Sequence, residues 1–519
     1  MSSLWSFPIE PSTAEERILR KCKKAKLFIL LRQYRHELFS EEFQRELMAM
    51  YPERKRGKAV VPPALLAMVT LLQAALGISD EDAVECGALD KRWQMLLGTL
   101  GEEDAPFSQG SLFNFRRRLI DADLDRRLLE RTVELAKRTG VFGHRALRAA
   151  FDASPLFGAG RVEDTFNLIG HAVRDVLGTV AKRLGVDLAE AAQRAGIPLA
   201  TGKSLKAALD IDWEDQNQKQ EALGRLLEQV RALGDFLEKE MSAELEAPPL
   251  CDQWATVAQF IEQDLEPDPS GSGRHRIRRG VAKDRRISVT DSEMRHGRKS
   301  KASRFDGFKR HVAVDVSSGV IVGVAVTPGN RPESEAADEL FDDIERQDLA
   351  LDELLIDRGY LAAEPVDERR REGLPVRCKA FPLRNAGRFT KADFQLDFQA
   401  GTVTCPAGET QPLTLGRPSR FPKTTCQSCA LKDRCSKAQN SGRSVSIHLQ
   451  EEFFAELRAL QKTPEGRAKL RERTPVEHAH ARLGQTQGKR ARYKGVRKNV
   501  FDLRRHAAVQ NIFKLKLAA

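Results

Sequence analysis

Two aspartates and one glutamate have the positions that a metal-dependent reaction requires. Asp357 ends an apolar run at residues 354–356 and is followed by Arg-Gly-Tyr, a pattern that predicts a buried strand turning at its carboxyl edge. Asp152 follows a shorter apolar run and precedes small residues, so we expect a second strand-end carboxylate there. Glu477 lies near the start of a predicted helix. Capping of the next turn is the simpler role for an isolated aspartate such as Asp357.

Carboxylates of this kind in a basic chain suit the cleavage and transfer of phosphodiester bonds. That chemistry uses two Mg²⁺ ions about 4 Å apart, which stabilise the attacking and the leaving oxygen. Mg²⁺, or Mn²⁺ in its place, takes hard oxygen ligands and keeps several waters, so two or three carboxylates suffice. The sequence contains no His/Cys pattern of a catalytic zinc, no Walker-type phosphate loop and no Gly-x-Ser-x-Gly elbow.

A structural role competes with catalysis for Glu477. Thr474 as cap, Pro475 as the first helical residue and Glu477 three positions after Thr474 match the capping box that begins many helices. Arg473 lies four residues before the glutamate. The local pattern leaves both roles open.

Composition restricts the class of protein. The 519 residues are 31% charged and 41% hydrophobic, which is typical of a globular protein, and this length predicts about three or four domains. The net charge of +11 and the pI near 9.2 favour a polyanionic partner, most commonly nucleic acid. The sequence has no apolar run of the roughly 18 residues that span a membrane, and its start does not have the order of a secretory signal. We therefore expect a cytoplasmic protein.

The elements that would position these groups begin with a helical region at residues 13–138. Two predicted helices joined by residues 77–79 resemble a helix-turn-helix. Arg116, Arg117 and Arg118 lie on a later short helix, where they could contact the phosphates and base edges of DNA. Ordinary helix packing and a solvated basic face are the alternatives.

A helical insertion without catalytic motifs is predicted for residues 165–265, and a Pro/Gly/Ser-rich linker follows at residues 267–273. Residues 274–310 are then dense in Arg and Lys, including Arg298 and Lys299. We do not expect so basic a block to pack, and we place it along DNA phosphates. A solvated loop is the alternative.

The clearest secondary structure is a β-hairpin predicted for residues 308–327. An amphipathic helix at residues 333–347 leads from it into the strand that ends at Asp357. The predicted order is therefore strand with Asp152, insertion, hairpin, helix and strand with Asp357. A second basic block, residues 488–516, ends the chain.

Half of the eight cysteines are grouped. Cys426-x-x-Cys429 has the spacing at which two thiolates bind one zinc, and Cys405 and Cys435 could complete a tetrahedral site. Unligated thiols are the alternative, because the gap after Cys405 is long. The other four cysteines are scattered and are expected to pack as ordinary core residues.

The sequence resembles the DDE transposases of bacterial insertion sequences over nearly its whole length. The similarity rests on motifs in a set order: helical stretches at residues 62–66, 77–80 and 107–112, then Asp152-Ala-Ser-Pro-Leu, residues 308–315, Val326-Thr-Pro-Gly-Asn330, Asp357-Arg-Gly-Tyr360 and Pro475-Val-Glu477. The resemblance implies an RNase H-like mixed-sheet core. Asp152, Asp357 and Glu477 would be its catalytic residues and would hold the two Mg²⁺ ions.

Further expectations follow from the resemblance. Arg473 matches an arginine of the family that lies four residues before the glutamate. The family often has a Lys seven residues after the glutamate, where this chain has Gly484, and Arg482 is the expected substitute for that phosphate contact. The implied partners are double-stranded DNA, as transposon ends and as target, and a second copy of the chain in a homodimer on DNA. The implied location is the bacterial nucleoid, with no membrane association.

These observations predict a multidomain protein of α and α/β parts. An all-helical N-terminal DNA-binding domain precedes a mixed-sheet core, and a helical insertion and a small cysteine-rich module interrupt that core. The predicted segments are the N-terminal domain 1–140, the first part of the core 141–165, the insertion 166–270, a basic linker 271–304, the central core 305–400, the zinc module 401–450 and the catalytic helix with the basic tail 451–519.

The leading functional hypothesis is a transposase that nicks transposon ends and joins the freed 3′-hydroxyl to target DNA. An RNase H-like nuclease that only cuts is the enzymatic alternative. A DNA-binding repressor derived from a transposase, without the chemistry, is the alternative from another class. The presence of all three carboxylates argues against the repressor.

We predict that phosphate contacts dominate DNA binding, because the blocks at residues 274–310 and 488–516 contain few acids. If about six or more phosphates are engaged, duplex affinity should fall roughly a thousandfold or more between about 50 and 200 mM salt. Fluorescence anisotropy of a labelled duplex over a salt series measures the slope. A flat response would contradict this prediction.

Overall fold

The structure is a computed structural model that describes residues 4–52, 60–142, 146–202, 205–269 and 274–516. Within these residues 22 α-helices accompany a mixed sheet of six strands and three small sheets. The predicted combination of α and α/β parts is therefore confirmed.

The helices fall into three groups along the chain. Eight precede the main sheet: α1 (Thr13–Lys21), α2 (Lys26–Leu38), α3 (Glu41–Ala49), α4 (Pro63–Leu76), α5 (Asp80–Leu89), α6 (Lys91–Leu97), α7 (Gln109–Asp121) and α8 (Asp125–Arg138). Six form the insertion: α9 (Thr165–Leu184), α10 (Leu188–Arg194), α11 (Leu205–Leu209), α12 (Gln216–Glu240), α13 (Ser242–Leu245) and α14 (Leu250–Asp264). Eight belong to the second half: α15 (Ala337–Glu345), α16 (Glu364–Arg371), α17 (Lys423–Gln427), α18 (Lys432–Cys435), α19 (Glu451–Lys462), α20 (Pro464–Arg471), α21 (Thr474–Thr486) and α22 (Val496–Ile512).

The strands divide between the main sheet and three small ones. The main sheet contains β1 (Leu147–Phe157), β4 (Arg295–Arg298), β5 (Arg304–Asp315), β6 (Ile321–Pro328), β7 (Leu351–Leu355) and β8 (Val376–Arg377). The small sheets contain β2 (Leu265–Pro267), β3 (His275–Ile277), β9 (Gln395–Asp397), β10 (Thr402–Thr404), β11 (Thr410–Pro412), β12 (Ser419–Arg420) and β13 (Ser444–Val445).

Strand β1 lies in the interior of the main sheet. It runs antiparallel to β5 on one side and parallel to β7 on the other, and β8 extends the sheet beyond β7. Strands β4 and β6 pair with successive parts of the free edge of β5. The hairpin predicted from the sequence is β5–β6, and Asp315 accepts hydrogen bonds from Ser318 in its turn.

The prediction that Asp152 ends a strand is wrong. Asp152 is the sixth of the 11 residues of β1, and the ladder with β5 continues from Ala149 to Phe157. The first half of β1 is rich in Ala and Arg, which are poor strand formers, but it is buried and paired on both edges. Tertiary pairing therefore overrides local propensity here.

Helix α22 replaces the predicted basic tail. It is buried from Asn499 to Ile512 and contributes to two hydrophobic clusters, one shared with the N-terminal helices and one beside the main sheet. Its cations are paired inside the protein: Arg505 with Asp502 of the same helix, and Arg504 with Asp125 of α8. The tail is thus not available along its length to DNA, because these arginines satisfy buried carboxylates.

The eight N-terminal helices share a core with the rest of the protein. One hydrophobic cluster joins residues of α2, α4, α6 and α7 to residues of β1, α15 and α22. The predicted boundary at residue 140 therefore does not coincide with a change of core. Helices α4 and α5, the predicted helix-turn-helix, are bent by 108° at Gly77, which adopts a left-handed conformation (φ 69°).

The insertion has a hydrophobic cluster of its own, built from α9 to α14. The sequence pattern predicts helices at residues 166–184, 188–195, 204–211 and 216–240, which correspond to α9, α10, α11 and α12, whereas it does not predict α14 as a separate helix. The strands β2 and β3 form a hairpin across the predicted linker. The linker residues 270–273 and the predicted boundary between 270 and 271 lie outside the described residues.

The basic block at residues 274–310 packs in part, against expectation. Arg285 forms an ion pair of 2.6 Å with the buried Asp264 of α14, and Arg286 lies over the ring of Phe260. Strand β4 joins the main sheet, with Arg295 opposite Gly307. These cations can pack because Arg285 is paired with a buried carboxylate and Arg286 lies against an aromatic ring.

Among the described residues no single helix is long and apolar enough to cross a membrane, although α4 and α5 together reach that length as a bent pair. Both helices carry residues of the shared core, and α4 is buried from Pro63 to Ala74.

We predict that Asp125→Asn destabilises the protein by about 3 kcal/mol, because it leaves the buried Arg504 without its fully buried partner. The Asp125 side chain is 0% exposed and accepts hydrogen bonds from Arg497 and Arg504 at 3.0 and 3.1 Å. Denaturant unfolding at neutral pH measures the change. Asp123→Asn is the matched control, since Asp123 contacts the same two arginines but is 52% exposed. Its cost should be under about 1 kcal/mol, and equal costs for both variants would contradict the prediction.

Candidate active site

The parallel pairing of β1 and β7 brings Asp152 and Asp357 to the same level of the sheet. Ala150 is the register partner of Leu355, and each aspartate lies two residues further along its own chain. Asp357 also caps the following 3₁₀-helix, where its Oδ1 accepts the main-chain N–H of Arg358 at 2.9 Å. The capping alternative for Asp357 is thus confirmed, but it engages one carboxylate oxygen only.

Helix α21 brings the third carboxylate to the same place. Val476, Ala479 and Leu483 lie at helical spacing and pack in the cluster formed by β1, β5 and β6. This contact fixes the rotation of the helix and leaves Glu477 exposed beside the sheet edge.

The capping-box alternative for Glu477 is wrong. The residue that caps α21 is Arg473, no side chain caps the first turn, and the Thr474 hydroxyl donates to the Arg471 carbonyl instead. Among the described residues Glu477 forms neither a hydrogen bond nor an ion pair. Its carboxylate is therefore not used by the local helix structure.

A cavity of about 330 Å³ contains the three predicted carboxylates and a fourth, Glu333. Glu333 begins the 3₁₀-helix Glu333–Ala336 that precedes α15. Its side chain lies so close to Gly359 that a Cβ there would come within 2.0 Å of Oε2, so a larger residue at that position would displace the Glu333 carboxylate. The sequence analysis did not single out Glu333. Acidic residues are common at the start of helices, because they interact favourably with the positive end of the helix dipole.

Two of the four carboxylates in this cavity are harder to ionise than an exposed carboxyl group, although four cations also line it. Burial raises the pKa of Asp152 against the lowering effect of Arg473, and the other two predicted carboxylates raise it further. Burial likewise raises the pKa of Glu333, where Lys309 opposes the effect and the neighbouring aspartates add to it. A cation that entered the cavity would relieve both groups.

Two residues of the α21 region contact Asp152 directly. The Arg473 guanidinium lies 2.8 Å from Oδ1, and the ring of His480 lies 3.8 Å from Oδ2. Burial and the nearby Arg310 lower the pKa of His480 to about 3, so its ring is neutral at physiological pH. His480 was not singled out from the sequence, where it is one of two histidines on the helix.

The donor set fits the metal that the sequence predicts, although the side chains are not gathered around one point. In the described ranges no three His, Cys, Asp or Glu side chains form a group that could hold one ion as they stand. Asp152, Asp357, Glu477 and Glu333 nevertheless offer only carboxylate oxygens, the hard ligands that Mg²⁺ prefers. In this arrangement the guanidinium of Arg473 supplies positive charge beside Asp152, through an ion pair with its carboxylate.

Cations line two clefts that meet at the carboxylates. The first is the cavity just described, which includes Arg298, Lys299 and Lys309. A second cleft of about 430 Å³ shares Asp357, Arg473 and Glu477 with it and adds three further cations, Lys379, Arg467 and Arg471. The two shared carboxylates are the only acids that line the second cleft.

The other predicted DNA contacts lie elsewhere. Arg116 is held by Asp80 at 2.6 Å and is largely buried, whereas Arg117 is exposed. Arg118 lies over the ring of Tyr51 at the edge of a separate pocket between the N-terminal helices. Arg482 is exposed on α21 and lines neither of the two clefts.

The four grouped cysteines converge on one cavity of about 290 Å³. Main-chain N–H groups donate to two of the sulfurs, from Arg443 to Cys426 and from Leu431 to Cys429, each at 3.4 Å. Burial raises the pKa of the Cys435 thiol, and the other cysteines add to the effect. No metal-binding arrangement is present here among the described residues.

Comparison with known protein families gives three matches along the chain. A transposase domain (DUF772) matches residues 20–118, a transposase DDE domain matches residues 278–379, and another transposase DDE domain matches residues 404–516. No curated protein and no solved structure matches the chain significantly.

The matches cover two of the three predicted catalytic residues. Asp357 falls in the first DDE match and Glu477 in the second, while Asp152 and the helical insertion lie outside all three. The three matched families are all transposase families, and their order agrees with a helical front followed by a sheet core. The chain belongs to the DDE-type transposases of insertion sequences.

Proposed function

We propose that this transposase cuts the ends of its insertion sequence and joins the freed 3′-hydroxyl to target DNA. The observation that carries the proposal is the meeting of Asp152, Asp357 and Glu477 at one cavity lined by cations. Asp152 and Asp357 come from paired strands, while Glu477 comes from a helix more than 100 residues later, and no local structural role occupies it.

The reaction has two steps of the same kind. In cleavage, the oxygen of water attacks phosphorus and the bond to the 3′-oxygen breaks, so the leaving oxygen takes a proton and becomes a 3′-hydroxyl. In strand transfer, that hydroxyl loses its proton and attacks a target phosphorus, and the bond to the target 3′-oxygen breaks. Two bound Mg²⁺ ions would stabilise the attacking and the leaving oxygen. The carboxylates would hold the ions, and Arg473, which pairs with Asp152 in this structure, would neutralise charge on the phosphate.

The two clefts provide paths for DNA on either side of the carboxylates. Strand transfer brings two DNA segments to one set of catalytic groups, and each cleft offers three cations of its own. Lys379 and Arg471 are exposed and form no hydrogen bond or ion pair through their side chains among the described residues. They are therefore free to contact phosphates of a second segment. Since an insertion sequence has two ends, we further propose that a homodimer acts on DNA.

The arrangement of the sheet supports an RNase H-like core. A carboxylate lies on β1, another follows the parallel strand β7, and the hairpin β5–β6 extends the sheet on the other side of β1. A nuclease without strand transfer would use the same groups, and the second cationic cleft favours transfer over cutting alone. The repressor alternative gives no role to the four carboxylates that line this cavity.

We also propose that the grouped cysteines bind structural zinc. The observations that support this proposal are the convergence of the four cysteines on one cavity and the main-chain N–H groups that donate to the sulfurs of Cys426 and Cys429. The four cysteines would hold the zinc ion as its ligands.

Glu477→Gln is the direct test of the catalytic site. The variant should fold and bind transposon-end DNA nearly as well as the parent, yet cleave at least about a hundredfold more slowly, on the order of 3 kcal/mol of transition-state stabilisation. The amide keeps the size of the side chain but is a poor ligand for Mg²⁺. Mapping of nicks in flanking DNA with Mg²⁺ measures the rate.

Asp152→Asn and Asp357→Asn should lose cleavage in the same way, because one metal pair serves all three residues. Asp352→Asn is the control, since Asp352 is an exposed aspartate on β7 outside both clefts. If Glu477→Gln cuts at a near-parental rate while both aspartate variants are inactive, Glu477 is not the third ligand. Glu333 would then be the next carboxylate to replace.

Zinc is tested separately from catalysis. Metal analysis of the purified protein should find about one zinc per chain, and Cys426→Ser should increase protease cleavage at residues 400–444, because zinc binding contributes folding free energy. Cys251→Ser, in the helical insertion, should change neither result. Metal-free protein whose protease resistance is the same in both variants would exclude structural zinc.

A further inference from the structure

His480 is buried beside Asp152 with one ring nitrogen that has no hydrogen-bond partner. The residue is 9% exposed, and its Nε2 is one of the buried polar atoms without a partner. That atom lies 3.8 Å from Asp152 Oδ2, which is longer than a hydrogen bond. A polar atom left in this state beside a candidate catalytic carboxylate requires an explanation.

The other ring nitrogen belongs to a short chain of hydrogen bonds. Arg310 Nε–H donates to Ser154 Oγ at 2.8 Å, and Ser154 Oγ lies 2.9 Å from His480 Nδ1. Arg310 is anchored in turn, because its Nη1 donates to the Gln487 side chain and to the Gly488 carbonyl. The chain therefore runs from a fixed guanidinium through a hydroxyl to the imidazole.

The direction of this chain determines where the imidazole carries its proton. Arg310 has no acceptor atom, so Ser154 must accept from it and has its own hydrogen left to donate. Among the described residues the only other polar atom within hydrogen-bond distance of this hydroxyl is His480 Nδ1. The hydroxyl thus donates to Nδ1, and a neutral ring then has its hydrogen on Nε2, which faces the Asp152 carboxylate.

We propose that His480 is a positioning residue that orients the Asp152 carboxylate through Nε2–H, and that Ser154 and Arg310 fix the tautomer required for this. The inference rests on the proposed function, in which Asp152 holds a metal ion. A small rotation of the carboxylate would close the 3.8 Å gap between Oδ2 and Nε2 to a hydrogen bond. A ligating carboxylate held by an outer donor binds its metal more tightly.

The positions of these residues in the sequence explain why the chain forms. Ser154 lies two residues after Asp152 on β1, so both side chains point to the same face of the sheet. His480 lies three residues after Glu477 on α21, on a neighbouring position of the helix surface. The Ser154–His480 hydrogen bond therefore couples the strand that carries one carboxylate to the helix that carries another.

Serine, histidine and aspartate in contact also invite comparison with a hydrolytic triad, but the order of contacts differs. In such a triad the histidine accepts the serine proton and the aspartate is buried behind it. Here the Ser154 oxygen is occupied by Arg310, and the aspartate is the group that lines the cavity. Ser154 is therefore placed to orient the imidazole and not to attack a substrate.

The test compares His480→Ala, His480→Gln and Ser154→Ala with the parent. The control is His478→Ala, which alters an exposed histidine on the same helix without contacts in the described residues. Affinity for Mn²⁺, measured by calorimetry without DNA, should fall roughly tenfold or more in His480→Ala. His480→Gln should recover most of it, because its amide N–H can donate to Asp152. The cleavage rate should follow the same order, while the KM for DNA and the thermal midpoint of His480→Gln stay near parental values.

A spectroscopic measurement decides the tautomer independently of activity. ¹⁵N spectra of histidine-labelled parent protein, without metal or DNA, should show the His480 proton on Nε2, and Ser154→Ala should weaken that preference. A proton on Nδ1 would overturn the proposal. So would a His480→Ala variant with parental Mn²⁺ affinity, or a His480→Gln variant as impaired as His480→Ala. If the parent neither binds Mn²⁺ nor cuts DNA, the proposed function is wrong. The NMR measurement then still decides, independently, which nitrogen of His480 carries the proton.

Discussion

Mutual repulsion between carboxylates is the constraint on which this structure depends. Asp152, Asp357, Glu477 and Glu333 line one cavity, and burial together with neighbouring negative charge raises the pKa of Asp152 and of Glu333. Carboxylates that repel one another remain close only where the surrounding backbone is held too firmly to move them apart. Strand β1 meets this requirement because it is hydrogen-bonded to β5 and to β7 around the position of its aspartate.

Helix α22 provides the rest of the rigid frame. It lies between the N-terminal helices and the main sheet, and it carries charged residues into an interior that would otherwise be apolar. Buried ion pairs such as Arg504 with Asp125 add little net stability compared with well-packed apolar residues, but they define how two elements fit together. The C-terminal helix thereby fixes the orientation of the N-terminal helices relative to the carboxylates.

The distribution of positive charge separates structural cations from those free to bind. Many arginines of the chain form ion pairs inside the protein, as Arg285 does with Asp264 and Arg505 with Asp502. The cations of the two clefts, by contrast, line the cavities that contain the carboxylates, and the second cleft has more cations than acids. Net charge therefore indicates a polyanionic partner without indicating where it binds.

The sequence by itself indicated three of the four carboxylates that line the cavity, together with the hairpin, the insertion and the order of these elements, because hydrophobic periodicity and turn residues are local signals. It misplaced Asp152 at a strand end and assigned the residues of α22 to a basic tail that contacts DNA phosphates, because strand pairing and the burial of paired charge depend on distant residues. Only the tertiary structure decided that Glu477 is free of a capping role and that Glu333 and His480 join the site. The physical reason is that the pairing of β1 with β7 and the packing of α21 on the sheet bring together residues hundreds of positions apart. Such long-range contacts produce no periodic pattern in the local sequence.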